Sequence, residues 1–407
     1  MFAPLAGTRV LDFTHVLAGP YVTHVLTQLG ADVVKIERPG AGDVMRTGKP
    51  GQSPPGFAAQ FVGLNHGKRS LALDFKTPRG REIALRLATR ADVLVENQRP
   101  GELAKAGLDH ATLSATNPGL VYASVSGWGQ SGPMAGRAGY DQAIQAAAGV
   151  MMMQGDPGDP PMKIGFPAID IATGMNGACA VMAALLERQR NGGKGCRIDI
   201  GMADSALMLM IGPASNWMVG GIAPERFGNR PLTSSPTSGV FPTADGWLSI
   251  AANTMDQGHK ALDVAGRGEL KSDPRFAPVG KGGFFVVADQ AVATAEFAAI
   301  LRTRTADDWE RDLSAAGVAC AKIRTVDEFI DGPYRRTPGV HRRIDDQPGY
   351  DKPVEALGAG FRVDGAAPAA TRPAPAAGGD SAAVLAELGY AGDEIAALLR
   401  DGVVAAP

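Results

Sequence analysis

Cysteine is scarce. Three occur in 407 residues, Cys179, Cys196 and Cys320, odd in number and scattered, with no CxxC pair. That pattern excludes a disulfide framework and a thiolate metal site, and it reads as three reduced thiols packed as small apolar residues. The six histidines include no HExxH pair, so no zinc site is visible. Excess charge of one sign is missing too: 40 Lys and Arg stand against 42 Asp and Glu, a formal net charge of −2. Such balance gives no support to a nucleic-acid or polybasic membrane role. No apolar run reads as the ~18 residues of a membrane span. The opening MFAPLAGTRVLDF lacks the basic n-region and apolar h-region of a secretory signal. The expectation is a cytoplasmic protein whose ligand is recognised by local clusters.

What is present is ordinary in bulk, 45% hydrophobic and 20% charged, and informative in order. A chain this long exceeds the size of one hydrophobic core, which predicts two domains. Over the first 200 residues short apolar runs alternate with helical patterns. Strands are expected at Thr8–Phe13, Asp32–Glu37, Ser70–Phe75, Asp92–Glu96, Leu120–Ser124 and Arg197–Ile200. Helices are expected at Tyr21–Gly30, Pro78–Ala91, Gly101–Gly107 and Ala172–Arg190. Alternation of this kind argues a parallel sheet with helices on both faces. The turn-rich stretch Gly228–Gly246 leads into a strand at Trp247–Ala251, helices follow at Thr305–Gly317 and Val326–Ile330, and Ala366–Gly379 reads as a Pro/Ala-rich linker before a helical hairpin over Ala382–Gly402. The fold class expected is α/β: a large doubly wound, Rossmann-like parallel sheet over residues 1–224, a smaller α+β domain over 225–325, and a return segment, 326–407, completing the large domain.

In an open parallel sheet, ligands bind beyond the carboxyl ends of the strands. Those ends carry Thr14-His15-Val16, Glu37-Arg38, Asp74-Phe75-Lys76, Glu96-Asn97-Gln98-Arg99 and Ser126-Gly127-Trp128. Arg38 and Lys76 suit phosphates, one as a planar fork and one as a point charge, or are solvated loop residues. A dinucleotide site would need GxGxxG after the first strand. The chain has THVLAGPYVTHVL there, so NAD and FAD rank low. Asp170 lies at the entrance to a long apolar helix, where it serves as a helix cap or, ionised near the helix N-terminus, as a nucleophile. Gly139-Tyr140-Asp141-Gln142 reads as a turn followed by a capped helix, preceded by the flexible loop Trp128–Pro133.

Taken together, VLDFTHVLAGP (10–20), GADVVKIERPGAGD (30–43), NHGKRSLALDFKTPRG (65–80), ADVLVEN (91–97), SGWGQSGP (126–133), GYDQ (139–142), PAIDIATG (167–174), GGKGCRIDIGMADSAL (192–207) and DGWLSIAA (245–252) resemble the class III CoA-transferases, a group that includes formyl-CoA:oxalate transferase, carnitine CoA-transferase and the related α-methylacyl-CoA racemases. The resemblance implies that Asp170 is the catalytic aspartate, forming a mixed anhydride with the donor acyl group and then an aspartyl-CoA thioester. It implies CoA contacts at Val16, Leu17, Ala18, Arg38, Leu73, Lys76, Asn97, Gln98, Arg99, Lys105, Tyr140 and Asp141. It implies CoA and acyl-CoA as substrates, no permanently bound cofactor, no metal, and a homodimer of interlocked ring-shaped subunits.

The departures narrow the reading. Leu17 stands where formyl-CoA transferase has Gln, which argues against an oxalate-type substrate. Gln98 replaces a frequent Phe and Lys105 a frequent Arg. The racemases carry His-Asp where this chain has Tyr140-Asp141, and racemisation needs an acid/base pair at the α-carbon. Epimerisation of a 2-methylacyl-CoA is therefore the second reading, and a CoA-binding protein without turnover the third. For the glycine-rich lid of formyl-CoA transferase the candidate here is Gly280–Gly283, or a surface turn. Gly317–Ile323 lacks the Gly-Pro of many relatives, and Gly378–Ser381 matches their Gly-Glu-His-Thr poorly. His15 and Arg230 are the candidate substrate contacts, Arg230 through a fork to the distal carboxylate of a dicarboxylic acid.

Overall fold

The structure is a computed structural model that describes residues 2–231, 233–279, 283–368 and 372–407. The chain opens with β1 (Arg9–Phe13), α1 (Ala18–Gln28), β2 (Asp32–Glu37), α2 (Ala59–Asn65), β3 (Arg69–Leu73), α3 (Pro78–Ala88), β4 (Val93–Glu96), α4 (Glu102–Lys105), α5 (His110–Thr116) and β5 (Val121–Ser126). There follow α6 (Asp141–Ala147), α7 (Ala168–Arg190), β6 (Arg197–Gly201), α8 (Met202–Leu209) and α9 (Ile211–Gly220). The next stretch holds β7 (Ser238–Pro242), β8 (Trp247–Ala251), α10 (Met255–Val264), α11 (Gln290–Leu301), α12 (Ala306–Ala315), β9 (Cys320–Lys322) and α13 (Val326–Asp331). The chain ends with β10 (His341–Ile344), β11 (Val354–Leu357), α14 (Ser381–Glu387), α15 (Gly392–Arg400) and β12 (Val404–Ala405).

Strand order in the main sheet is β12-β3-β2-β1-β4-β5-β6. The six strands β1 to β6 pair in parallel, and only the short β12 runs antiparallel, at the edge beside β3. The order 3-2-1-4-5-6 is that of the doubly wound dinucleotide fold, built here without its glycine fingerprint. Side chains alternate across the sheet with a period of two. Leu11, Phe13, Val34, Ile36, Leu71 and Leu73 face a core completed by Ile83 and Leu87 of α3 and by Leu385 and Leu398 near the carboxyl terminus. Val10, Val33, Val93, Val95 and Val121 face the other way, onto Val22 and Leu26 of α1 and Val181 and Leu185 of α7. Both faces are covered, so the central strands read as continuous apolar runs. Each such side chain stabilises the fold by about 1.5–3 kcal/mol.

The chain forms two compact units, one of Met1–Val150, Lys163–Gly221 and Arg336–Pro407, the other of Met151–Met162 and Ile222–Arg335. The second unit holds the antiparallel sheet β7-β8-β9 around a core that includes Phe241, Phe276, Phe297 and Trp309.

Several expectations need correction. The helix expected from Ala172 starts four residues earlier, at Ala168, so Asp170 lies inside its first turn. Strand β7 falls within a stretch that reads as turns; its Gly239 and Pro242 mask the pattern, and pairing with β8 supplies the missing preference. The thiols are free; Cys179 and Cys196 are exposed and do not fill core space, whereas Cys320 is half-buried and packs against the core of the second unit. Contrary to the hydropathy reading, α7 is long and apolar enough to cross a membrane. Its apolar face is used inside the unit, where Val181 and Leu185 pack in the core. Of the Gly280–Gly283 string, residues 280–282 lie outside the described residues.

Candidate active site

The carboxyl edge of the sheet opens into a cavity of about 590 Å3. β1 delivers His15, Val16, Leu17 and Ala18 to its wall; β2 delivers Arg38; the turn after β3 delivers Lys76; β4 delivers Asn97, Gln98 and Arg99. Tyr140, which precedes α6, and Asp170 of α7 complete the set. Two neighbouring cavities extend the space. One of about 560 Å3 shares His15, Arg38, Lys76 and Gln98 and adds Leu73. One of about 610 Å3 shares Lys76 and Gln98 and adds Lys105. Lys76 borders all three, so a long ligand could run from Lys105 to Asp170 past one cation.

Local structure explains how these residues converge. Asn97 reads the backbone of His15 on both sides: its Oδ1 accepts the His15 N–H at 2.9 Å and its Nδ2 donates to the His15 carbonyl at 2.8 Å. Gln98 donates from Nε2 to the Phe13 carbonyl at 2.9 Å. Two side chains after β4 thereby fasten the loop after β1. α7 is brought in by close packing on α1. A Cβ on Gly174 would come within 2.6 Å of the Tyr21 side chain, and one on Gly177 within 2.7 Å of Val22. Glycine at both positions lets the helices approach, with Asp170 one turn before the contact.

Asp170 is not the cap of its helix. The N-cap position is Pro167, without a side-chain bond. The capping is done from α6: Asp141 Oδ2 accepts the N–H groups of Ile169 at 2.7 Å and Asp170 at 3.1 Å. Asp141 Oδ1 takes a hydrogen bond from Gln145 Nε2 at 2.5 Å, and Gln145 Oε1 accepts the Ile164 N–H at 2.9 Å. The Asp170 carboxylate accepts no hydrogen bond among the described residues. Burial first, and the neighbouring Asp141 charge second, push it up to about 7. The sequence argument from helix-terminus electrostatics pointed to a more acidic group; the terminus is occupied by Asp141, and desolvation wins. Burial lowers His15, which is therefore a neutral imidazole at neutral pH. Glu96, at the end of β4, is pushed up to about 7 by burial.

One expected contact is absent from this wall. Asp141 is not on the cavity wall, and both its oxygens are engaged in holding α7 and α6. Arg230 belongs to the second unit, where its Nε donates to the Phe227 carbonyl at 3.3 Å. Among the wall residues not singled out from sequence are Met202 at the start of α8, Ser126 as a ligand contact, and Arg137. Arg137 is the one cation between residues 127 and 140, a signal that a charge scan of that glycine-rich loop would have found. Among the described residues its guanidinium has no partner. No cluster of His, Cys, Asp and Glu fit for a metal ion occurs among the described residues.

A family model described as CoA-transferase family III matches residues 5–381. The succinate–glutarate CoA-transferase of Agrobacterium fabrum is 35% identical, over 95% of this chain and 96% of its own length. The acetyl-CoA:oxalate CoA-transferase of Acetobacter aceti is 36% identical, over 88% and 92%. The crystal structure of a CAIB/BAIF family protein from Brucella suis superposes with a TM-score of 0.82 at 36% identity, covering 95% of this chain and 100% of that one. The same parallel-dominated α/β architecture and the same sequence pattern thus run through almost the whole length, and the chain is an enzyme of CoA-transferase family III.

Proposed function

We propose that the enzyme moves CoA from an acyl-CoA thioester to a short free carboxylic acid through covalent intermediates on Asp170. The observation that carries the reading is Asp170 itself: a carboxylate on the wall of a 590 Å3 cavity, without a competing hydrogen bond among the described residues, on a wall that also carries Arg38, Lys76, Arg99 and Arg137. An oxygen of the ionised Asp170 attacks the thioester carbon, and collapse of the tetrahedral adduct expels CoA as thiolate, leaving a mixed anhydride. The thiolate attacks the aspartyl carbonyl and releases the donor acid. The acceptor carboxylate attacks the resulting aspartyl-CoA thioester, and the same two steps in reverse deliver the new acyl-CoA and free Asp170. No proton is transferred, and exclusion of water preserves the thioester energy.

The relatives' names, one a succinate–glutarate and one an oxalate enzyme, support a dicarboxylic acid as donor or acceptor. Of the four cations on the Asp170 cavity wall, Arg38, Lys76 and Arg99 are assigned to CoA, which leaves Arg137 for a distal carboxylate. The racemase reading is not carried: the relatives named above are transferases, and Tyr140 stands where the racemases carry His. We also infer a homodimer. Helix α9 has no buried residue, and Trp217, Met218 and Val219 are 59%, 81% and 89% exposed; a contiguous apolar surface of this kind marks an interface. Operation in the reducing cytoplasm fits three free thiols.

The test is a screen of mono- and dicarboxylic acceptors with succinyl-CoA and acetyl-CoA, read by mass spectrometry for new thioesters, with hydroxylamine trapping of Asp170. New thioesters and an aspartyl hydroxamate at Asp170 are expected. Arg137→Gln should raise KM for dicarboxylic acceptors about tenfold and leave monocarboxylates unchanged, the effect of losing one charge-assisted contact. Tight acyl-CoA binding with neither product nor hydroxamate would leave a non-catalytic binder.

A further inference from the structure

Lys35 of β2 and Asp43 lie beneath the loop that joins β1 to α1. Their side chains are 0% and 1% exposed and pair at 2.9 Å. Each also grips the loop. Lys35 Nζ donates to the Thr14 carbonyl at 2.8 Å, and Asp43 Oδ1 accepts the Val16 N–H at 3.2 Å. Asn97 holds both backbone groups of His15 between them. Three consecutive backbone units are thus tied down by side chains from outside the loop.

The last of the three is strained. Val16 has φ +67°, the left-handed region, where a β-branched residue is an outlier. Such strain persists only where the surroundings over-determine it, and it concentrates at working sites. Its result here is geometric. The chain turns at Val16 and starts α1 directly at the Asp170 cavity, with Leu17 and Ala18 on the wall. Their N–H groups precede the helix's first internal acceptor and have no acceptor among the described residues. A buried ion pair is weak as a stabilising device, because desolvation offsets most of the attraction. A pair retained at that cost, gripping the wall of the cavity, calls for another role.

We propose that Lys35 and Asp43 are positioning residues for the transfer reaction: they hold Val16 in its left-handed conformation, which sets the Leu17 and Ala18 N–H groups to receive the oxygen of the thioester carbonyl. The inference rests on the Asp170 reading above. When the Asp170 oxygen bonds to the thioester carbon, the C=O π pair moves onto that oxygen. Two preorganised donors stabilise the oxyanion, and its collapse restores C=O as the C–S bond breaks and CoA leaves as thiolate. Such donors act on the transition state more than on bound CoA.

The experiment compares the full-length wild type with Asp43→Ala, Asp43→Asn and Asp43→Ala/Val16→Gly, using succinyl-CoA and glutarate for turnover and CoA for calorimetry. Asp43→Ala should lower kcat about tenfold or more while KM for succinyl-CoA and Kd for CoA stay within about threefold. Adding Val16→Gly should restore about threefold or more of that loss, because glycine adopts φ +67° without strain. A folded Asp43→Ala enzyme with kcat within about twofold of wild type, or one that loses CoA affinity in place of kcat, overturns the proposal. Should Asp43→Ala not fold, Asp43→Asn decides: it keeps an acceptor for Val16 and removes the charge facing Lys35, so kcat should fall about three- to fivefold, and an unchanged kcat overturns the proposal. Failure of wild type to transfer or to form an Asp170 adduct sinks the aspartyl reading and this inference together; normal wild-type transfer with an unaffected Asp43 variant sinks this inference alone.

Discussion

One carboxylate holds another in place: Asp141 Oδ2 accepts the backbone N–H of Asp170 at 3.1 Å and that of Ile169 at 2.7 Å. The relationship has two opposed effects. It supplies the acceptor that the α7 terminus needs, and so fixes the backbone that carries Asp170. It also sets a negative charge beside a buried acid, which adds to the desolvation that pushes Asp170 up to about 7. As the attacking group in the proposed mechanism, Asp170 must be ionised, yet a less acidic carboxylate is a stronger nucleophile. A value near 7 leaves about half the molecules ionised at neutral pH.

The pH dependence follows from that value. kcat/KM, which reports the free enzyme, should rise with pH through an apparent pKa of about 7 and level off above it. Asp141→Asn keeps an oxygen for the two N–H groups and removes the charge, so the inflection should move to lower pH. A profile flat between pH 5 and 8, at about wild-type values throughout, would show that ionisation of Asp170 does not limit the reaction.

Asp170→Asn separates chemistry from binding. Turnover should fall to background while CoA still binds, since on the proposed mechanism the side chain makes the covalent bond and anchors nothing. Stability should change with a defined sign. The folded pKa of Asp170 lies above its unfolded value near 4, so the stability it contributes is complete below about pH 4 and is lost as pH rises through about 7. The Asn variant escapes that loss. It should melt higher than wild type at pH 8, by about 1–2 kcal/mol after allowance for solvent screening, and close to wild type at pH 4. A variant equally stable at both, or retaining more than a few per cent of turnover, would remove Asp170 from the role proposed.

How much of this was legible beforehand depends on whether a residue acts through the chain around it or through a partner far off. The strands were readable because both faces of the sheet are covered, so Val10 and Leu11, or Val33 and Val34, are apolar in succession. The wall residues His15, Arg38, Lys76 and Asn97 were readable because parallel strands all deliver their carboxyl ends to one edge. The Asp141 role was not, because its acceptor work is done 28 residues away, on α7. Lys35 was hidden for the opposite reason. In DVVKIE it looks like a solvent-facing residue of a strand, yet it is fully buried, raised by Asp12 and Asp43 against the pull of desolvation. A buried charge is visible only once its counter-charges are placed.

CoA affinity should depend on Lys76, which borders all three cavities at the carboxyl edge. Its ammonium has no ion pair among the described residues, so it is free to meet a phosphate. Lys76→Ala should weaken CoA binding by about 1–2 kcal/mol, roughly five- to thirtyfold in Kd by calorimetry, with kcat at saturating substrate little changed. Equal Kd values for variant and wild type at low salt would place the phosphates elsewhere.

The exposed face of α9 predicts association. Met218 and Val219 are the most exposed large apolar side chains of this helix, at 81% and 89%, and Ile211 and Trp217 are each 59% exposed. Left in water, that surface forgoes about 25 cal/mol for each Å2 that a partner could cover. Covered by a second copy, it would make the folded protomer depend on its neighbour, and the melting temperature would rise with protein concentration. Met218→Glu/Val219→Glu sets two charges into the face without touching the sheet or the Asp170 cavity. Sedimentation velocity should show wild type as two chains and the double variant shifted toward one, with a lower melting temperature that no longer depends on concentration. If the variant sediments like wild type and melts like it, α9 is not the surface that joins the copies.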